Sequence, residues 1–126
     1  METQEWVTKA ERDWLSLNRD MSWPTDVNYD DVCYHAQQCA EKYLKARLTE
    51  AVVYFPKTHN LKELLDIALP LEPQWDVLRP VLIALNPYAV EFRYPGHTAS
   101  CKEADEAVKL CAEVRAAIRP SLGLSV

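Results

Sequence analysis

The sequence predicts an all-α protein, an antiparallel up-and-down bundle of four main helices with one short accessory helix. Only two of the 126 residues are glycine, which leaves few positions for the turns that hairpin-rich β folds require. Apolar residues recur three or four positions apart through several stretches, the spacing that places them on one face of a helix. The sequence has no internal repeat and no linker, so residues 1–126 are expected to form a single domain.

The first helix is predicted from an apolar stripe at steps of four, four, three and four. Its members are Trp6, Ala10, Trp14, Leu17 and Met21. The charged residues between them, including Glu11 and Asp13, are expected on the solvent side. The pair Trp23-Pro24 ends this helix, because a residue that precedes proline is driven away from helical backbone angles.

A second helix is predicted over residues 29–48, with Glu41 and Lys45 four positions apart in the favourable order for an ion pair. Its apolar stripe consists of Val32, Cys33, Ala36, Ala40, Tyr43, Leu44 and Leu48. The β-branched and aromatic run at 52–55 ends at Pro56 and is too isolated to pair as a strand. We expect it to be a buried connection.

The accessory helix is predicted to begin near Asn60, which can cap it while Glu63 reaches back to the cap. A fourth helix is predicted over residues 74–85. Pro80 falls inside it and is expected to kink this helix or to shift its start.

The last helix is predicted to open at Ser100, three positions before Glu103, in the pattern of a capping box. Its alanine-rich apolar stripe continues until Pro120 closes it. The stretch before it, residues 88–98, is the least regular part of the chain.

Composition restricts the classes of function. Nineteen acidic and fourteen basic residues give a formal charge of −5, whereas a general nucleic-acid binder would be basic, so RNA contact requires a local patch. The four cysteines form no CxxC pair and nothing at the start resembles a signal peptide, so we expect reduced thiols and a cytoplasmic location. No apolar run is long enough to span a bilayer. The sequence has no glycine-rich phosphate loop and no carboxylate shell around His35, so no cofactor and no metal are expected. No membrane and no DNA partner are expected either.

Several segments, taken together and in order, resemble HEPN domains of the stand-alone prokaryotic type. The segment YDDVCYHAQQCAEKYLKARL at 29–48 resembles the second helix of that family. Residues 58–65 are similar to its T-H-x-L-x-x-L-L element, and residues 85–95 to its L-x-x-x-Y … R-Y-P element. The resemblance covers nearly the whole chain and implies a helical bundle that binds nucleotides.

Known HEPN proteins include metal-independent RNases, toxins of toxin–antitoxin pairs and partners of small nucleotidyltransferases. The RNase members resemble one another in an arginine and a histidine separated by a longer stretch than the three residues between Arg93 and His97. The resemblance therefore implies a non-catalytic nucleotide- or protein-binding module, similar to the HEPN partner of a nucleotidyltransferase in a toxin–antitoxin-like pair.

Two alternatives from other classes stay open. One is a metal-independent endoribonuclease with a site formed across a dimer, in which Arg93 holds the scissile phosphate and His97 activates the 2′-hydroxyl. The other is a purely structural dimerisation domain. Four tryptophans and six tyrosines exceed what one small core needs, which favours a homodimer in either case.

Four residues are predicted to contact a nucleotide or RNA ligand. Lys45, His59 and Arg93 suit phosphate oxygens, and Tyr94 suits stacking on a base. The alternatives are structural: Lys45 pairs with Glu41, and His59 bonds a neighbouring loop.

Overall fold

The computed structural model describes residues 2–91 and 94–126, and these residues form five α-helices. The helices are α1 (Glu2–Met21), α2 (Tyr29–Glu50), α3 (Leu61–Ala68), α4 (Arg79–Leu85) and α5 (Cys101–Ser121). Short 3₁₀ helices at Pro73–Leu78 and Asn86–Ala89 flank α4 on both sides. The predicted all-α class is confirmed. None of the helices described is long and apolar enough to cross a bilayer.

Contacts along α2 give the directions of the main helices. α1 is antiparallel to α2, since Trp6 lies over Lys45 at one end and Asp13 contacts His35 nearer the other. α5 begins where α2 begins, because the amide of Ala99 donates to Asp30.

The segment from Pro73 to Ala89 returns along α2 in the opposite direction. Glu72, just before it, binds Arg47 near the end of α2. Tyr88, at its far end, lies close enough to Cys33 for the thiol to influence the ionisation of the phenol. The four main segments therefore alternate in direction, and α3 is the accessory helix.

Prolines explain why the fourth segment is divided. Pro80 lies in the first turn of α4, where its missing N–H would have had no helical partner. The residues before it form a 3₁₀ helix that opens on Pro73. Pro80 thus shifts the start of the α-helix, one of the two outcomes predicted.

The helix caps follow the sequence closely. Ser100 and Glu103 form a complete capping box at the start of α5. The side chain of Asn60 caps α3 by accepting hydrogen bonds from the backbone amides of the first turn. The backbone amide of Asn60 donates to Thr58 Oγ1 at 3.1 Å. The expected contact from Glu63 is therefore replaced by one from Thr58, which precedes the helix.

The connection after α2 differs from the prediction of a buried segment. Val52 is 91% exposed and Tyr54 is 84% exposed, while Val53 and Phe55 pack against the core. The physical reason is that side chains alternate between the two sides of the non-helical segment 53–55, whereas Val52 lies in the turn that ends α2. Val52 itself adopts a left-handed conformation with φ of 58°.

The core lies mainly between α2 and the helices around it. Its largest fully buried side chains are Tyr43, Leu17, Leu44, Leu48, Leu61, Leu64, Leu65, Leu82, Leu85 and Ile118. Asp13 was expected on the solvent side, and that expectation is wrong. It is buried because two side chains of α2 bind its carboxylate.

Candidate functional site

A buried carboxylate, Glu41, lies at the centre of the polar residues on α2. Its side chain is only 3% exposed, and Lys45 Nζ lies 3.0 Å from Oε2. His59 Nδ1 lies 3.0 Å from Oε1. Because a carboxylate only accepts hydrogen bonds, Nδ1 carries the proton and Nε2 of His59 is left toward solvent. We call Gln37, Gln38, Glu41, Lys45 and His59 the Glu41 cluster.

Two amides complete this cluster. Gln37 Nε2 donates to the backbone carbonyl of His59 at 3.0 Å, which holds the segment before α3 against α2. Gln38 Nε2 donates to Gln37 Oε1 at 2.8 Å. Every side-chain nitrogen and oxygen that is buried among the described residues has a partner, so the cluster is internally satisfied.

Lys45 is held on its other side by aromatic rings. Its ammonium lies 5.4 Å from the centroid of Trp6 and 6.0 Å from that of Phe55, both within cation–π range. The Lys45 side chain is only 8% exposed. A phosphate at Lys45 would have to compete with Glu41 for a cation that is almost entirely removed from water.

Lys42, Lys45, Arg47 and Lys57 form the most basic stretch of the sequence, but Lys42 and Arg47 bind carboxylates other than Glu41. Lys42 Nζ lies 2.6 Å from Asp13 Oδ2, and Arg47 Nε donates to Glu72 at 2.8 Å. Lys57 is exposed on the connection after α2. Lys42, Lys45 and Arg47, which are close in the sequence, therefore bind three separate carboxylates.

Asp13 also binds a histidine. His35 Nδ1 lies 2.7 Å from Asp13 Oδ1, and this hydrogen bond raises the pKa of His35 against the opposing effect of burial. With Lys42 on the second oxygen, the carboxylate joins α1 to α2 through two bonds.

A third polar group joins α1, α2 and α5, and few features of the sequence indicate it. Arg115 Nε and Nη2 each lie 2.8 Å from the carboxylate of Glu11 in a bidentate pair, which lowers the pKa of Glu11. Tyr43 donates to the same carboxylate and accepts from Arg119 Nη1 at 2.9 Å. Arg115 and Arg119 are four positions apart and so share a helix face, which was the one available signal.

The other predicted site lies at the loop before α5. Tyr94 and His97 are exposed, and a backbone bond from His97 N to Tyr94 O at 3.3 Å closes a turn between them. Gly96 supports the turn with φ of 90°. Arg93 lies outside the described residues, so its pairing with His97 stays a prediction.

The predicted ligand contacts fall into two groups. Lys45 and His59 meet at Glu41. Tyr94 belongs to the loop that is tied to Asp30 through the amide of Ala99, at 2.6 Å. Asp30 and Glu41 are separated by about 16 Å along the axis of α2, at 1.5 Å per residue. Contact of either group with a ligand stays a prediction.

These observations define a helical bundle with a polar, internally paired central helix and an exposed loop before its last helix. A family model of the HEPN domain matches residues 3–120, nearly the whole chain. The chain therefore belongs to the HEPN family, as the resemblance of its motifs implied. No curated protein and no solved structure matches it.

Proposed function

We propose that this chain is a non-catalytic binding module whose partner is a small nucleotidyltransferase. The observation that carries the proposal is the environment of His97. Its side chain is exposed, and no described residue bonds its ring. The HEPN family as a whole supports a nucleotide-binding or RNase-like helical module, and the state of this histidine favours the first.

A histidine that removes a proton from a 2′-hydroxyl has to be held in one orientation and tautomer. Productive geometry is lost when a catalytic group moves by more than about half an ångström. His35 shows what such support looks like in this chain, because the carboxylate of Asp13 lies 2.7 Å from its Nδ1. His97 has no comparable partner among residues 2–91 and 94–126.

Electrostatics near the loop also disfavour RNA. Burial, together with the carboxylates of Glu103, Asp30 and Glu91, raises the pKa of Cys33 to about 12. The same carboxylates that disfavour a thiolate would repel the long phosphate backbone of an RNA more strongly than the few phosphate charges of a single nucleotide.

The proposal assigns the nucleotide contact to Tyr94 and Arg93 rather than to Lys45. Tyr94 is 64% exposed and therefore accessible for stacking on a base. Lys45 and His59 would then serve the partner surface indirectly, by holding the segment before α3 in place.

The test has two parts. Cleavage of a labelled mixed-sequence RNA in EDTA is measured for the wild type, His97→Ala and Thr98→Ala, a matched control on the same exposed loop. We expect no cleavage above background in any of the three. Metal-independent cleavage that is lost in His97→Ala and kept in Thr98→Ala would contradict the proposal and establish the endoribonuclease.

The second part is co-expression with a nucleotidyltransferase encoded by a neighbouring gene, followed by size-exclusion chromatography with light scattering. We expect the two proteins to elute as one complex. Separate elution of two folded proteins would contradict the assignment of the partner.

A further inference from the structure

The net charge of the chain is concentrated at one end of the bundle. Residues 19–31 and 91–106 contain eight acidic and three basic residues, a formal charge of −5. The rest of the chain contains eleven acidic and eleven basic residues, which cancel. About three quarters of the chain is therefore neutral overall, and the two segments carry the whole of its net charge.

The fold brings these two segments together. The amide of Ala99 donates to Asp30 at 2.6 Å, so the start of α5 lies beside the start of α2. Asp20 and Asp31, from the end of α1 and the first turn of α2, both raise the pKa of His35, so both carboxylates lie in the region around this histidine. Of the acidic residues at this end, Asp105 has a cationic partner, Lys109 at 3.3 Å.

An exposed tryptophan lies among these acidic residues. Trp23 is 59% exposed and lines a groove of 380 Å³ between the end of α1 and the start of α2. The other lining residues are Asp20, Thr25, Asp26 and Asn28. The groove thus offers one large aromatic face flanked by two carboxylates.

We propose that this groove is the docking site for an arginine-rich segment of a partner protein. A guanidinium stacks on an indole face and binds carboxylates through a planar fork, so Trp23, Asp20 and Asp26 provide the two kinds of contact that arginine uses. The surrounding charge attracts a basic segment and raises its rate of association. A nucleic acid is repelled by the same field.

This inference deepens the proposed function, because it names the surface and the chemistry through which the partner binds. Its test does not depend on the nucleotidyltransferase. The probe is a fluorescein-labelled peptide of alternating arginine and serine with six arginines. The readout is fluorescence anisotropy, measured at low salt and at about 0.15 M salt, where charges more than about 8 Å apart are screened from one another.

The test variant is Asp20→Asn/Trp23→Ala/Asp26→Asn. The matched control is Glu2→Gln/Tyr54→Ala/Glu5→Gln, which also removes two carboxylates and one exposed ring. Its residues line a second groove, of 540 Å³, at the opposite end of the bundle. Asparagine tolerates the left-handed backbone of residue 26, whose φ is 54°, so both variants are expected to melt near the wild type.

We expect the peptide to bind the wild type and the control equally, and the test variant about tenfold more weakly. Equal weakening in both variants, or no binding to the wild type, would overturn the inference. Binding of a labelled RNA that the test variant abolishes would overturn it in favour of a nucleic-acid surface.

Co-elution separates this inference from the proposed function. If the test variant still elutes with the nucleotidyltransferase as the wild type does, the partner is right and the docking site is wrong. If the peptide binds as expected and the nucleotidyltransferase does not, the docking site stands and the partner is wrong.

Discussion

Replacing Glu41 by glutamine tests whether the Glu41 cluster determines the stability of the bundle. The substitution keeps the shape of the side chain but removes the charge that faces Lys45 at 3.0 Å. The lysine ammonium would then be buried against Trp6 and Phe55 without a counter-charge. Removing one partner of a buried ion pair costs about 3 to 5 kcal/mol.

The lower end of that range applies, because the glutamine oxygen still accepts a hydrogen bond from Lys45. A loss of about 3 kcal/mol lowers the melting temperature of a domain of this size by roughly 10 °C. The measurement is thermal unfolding by circular dichroism, with urea unfolding to give the change in free energy.

Asp105 and Lys109 provide a matched control on the surface. They have the same four-residue spacing in a helix and lie 3.3 Å apart, but their side chains are 57% and 68% exposed. Asp105→Asn should therefore cost less than about 0.5 kcal/mol. The double variant Glu41→Leu/Lys45→Met should recover much of the loss, since it leaves no unpaired charge. A melting temperature for Glu41→Gln equal to that of Asp105→Asn would refute the reasoning.

Three further outcomes are expected. The bond to Asp13 raises the pKa of His35 in the folded state, so its contribution to stability is full below the unfolded-state pKa of about 6.5 and is lost as the pH rises through the folded-state pKa. The melting temperatures of the wild type and His35→Gln should therefore converge from acidic to alkaline pH. A difference that stays constant with pH would contradict this. Arg115→Lys loses the bidentate bond to Glu11 and should cost about 1 to 2 kcal/mol in urea unfolding, whereas Arg79→Lys, between two exposed carboxylates, should cost almost nothing. Light scattering at tens of micromolar should give twice the chain mass of 14.5 kDa, and a monomer would contradict the predicted homodimer.

Local periodicity predicted the helices because each apolar stripe reports on a single element. It placed α2 and α5 closely, and the prolines correctly indicated a displaced start for α4. It failed for Asp13, which looked like one more charged residue on the outer face of α1. Burial of Asp13 depends on His35 and Lys42, which are 22 and 29 positions away, and no local pattern encodes such a contact.

The candidate site was less predictable from the sequence than the helices were. The pairing of Lys45 with Glu41 follows from their spacing on one helix, but the burial of that pair depends on Trp6 and Phe55 from other parts of the chain. His59 was predicted as a ligand contact, with a bond to a neighbouring loop as the structural alternative, and its ring contacts Glu41 on α2. Contacts between elements depend on how the helices rotate about their axes, which spacing within one helix does not determine.

The polar contacts along α2 form separate groups, each of which binds other elements of the bundle to this helix. Asp13 fastens α1, His59 fastens the segment before α3, and Tyr43 links to both Glu11 and Arg119. Because these groups share no side chain, damage to one leaves the bonds of the others in place. Because Glu11 on α1 binds Arg115 on α5, hydrogen exchange should show the α3 segment opening separately, and α1 and α5 opening with coupled free energies, before the whole domain unfolds.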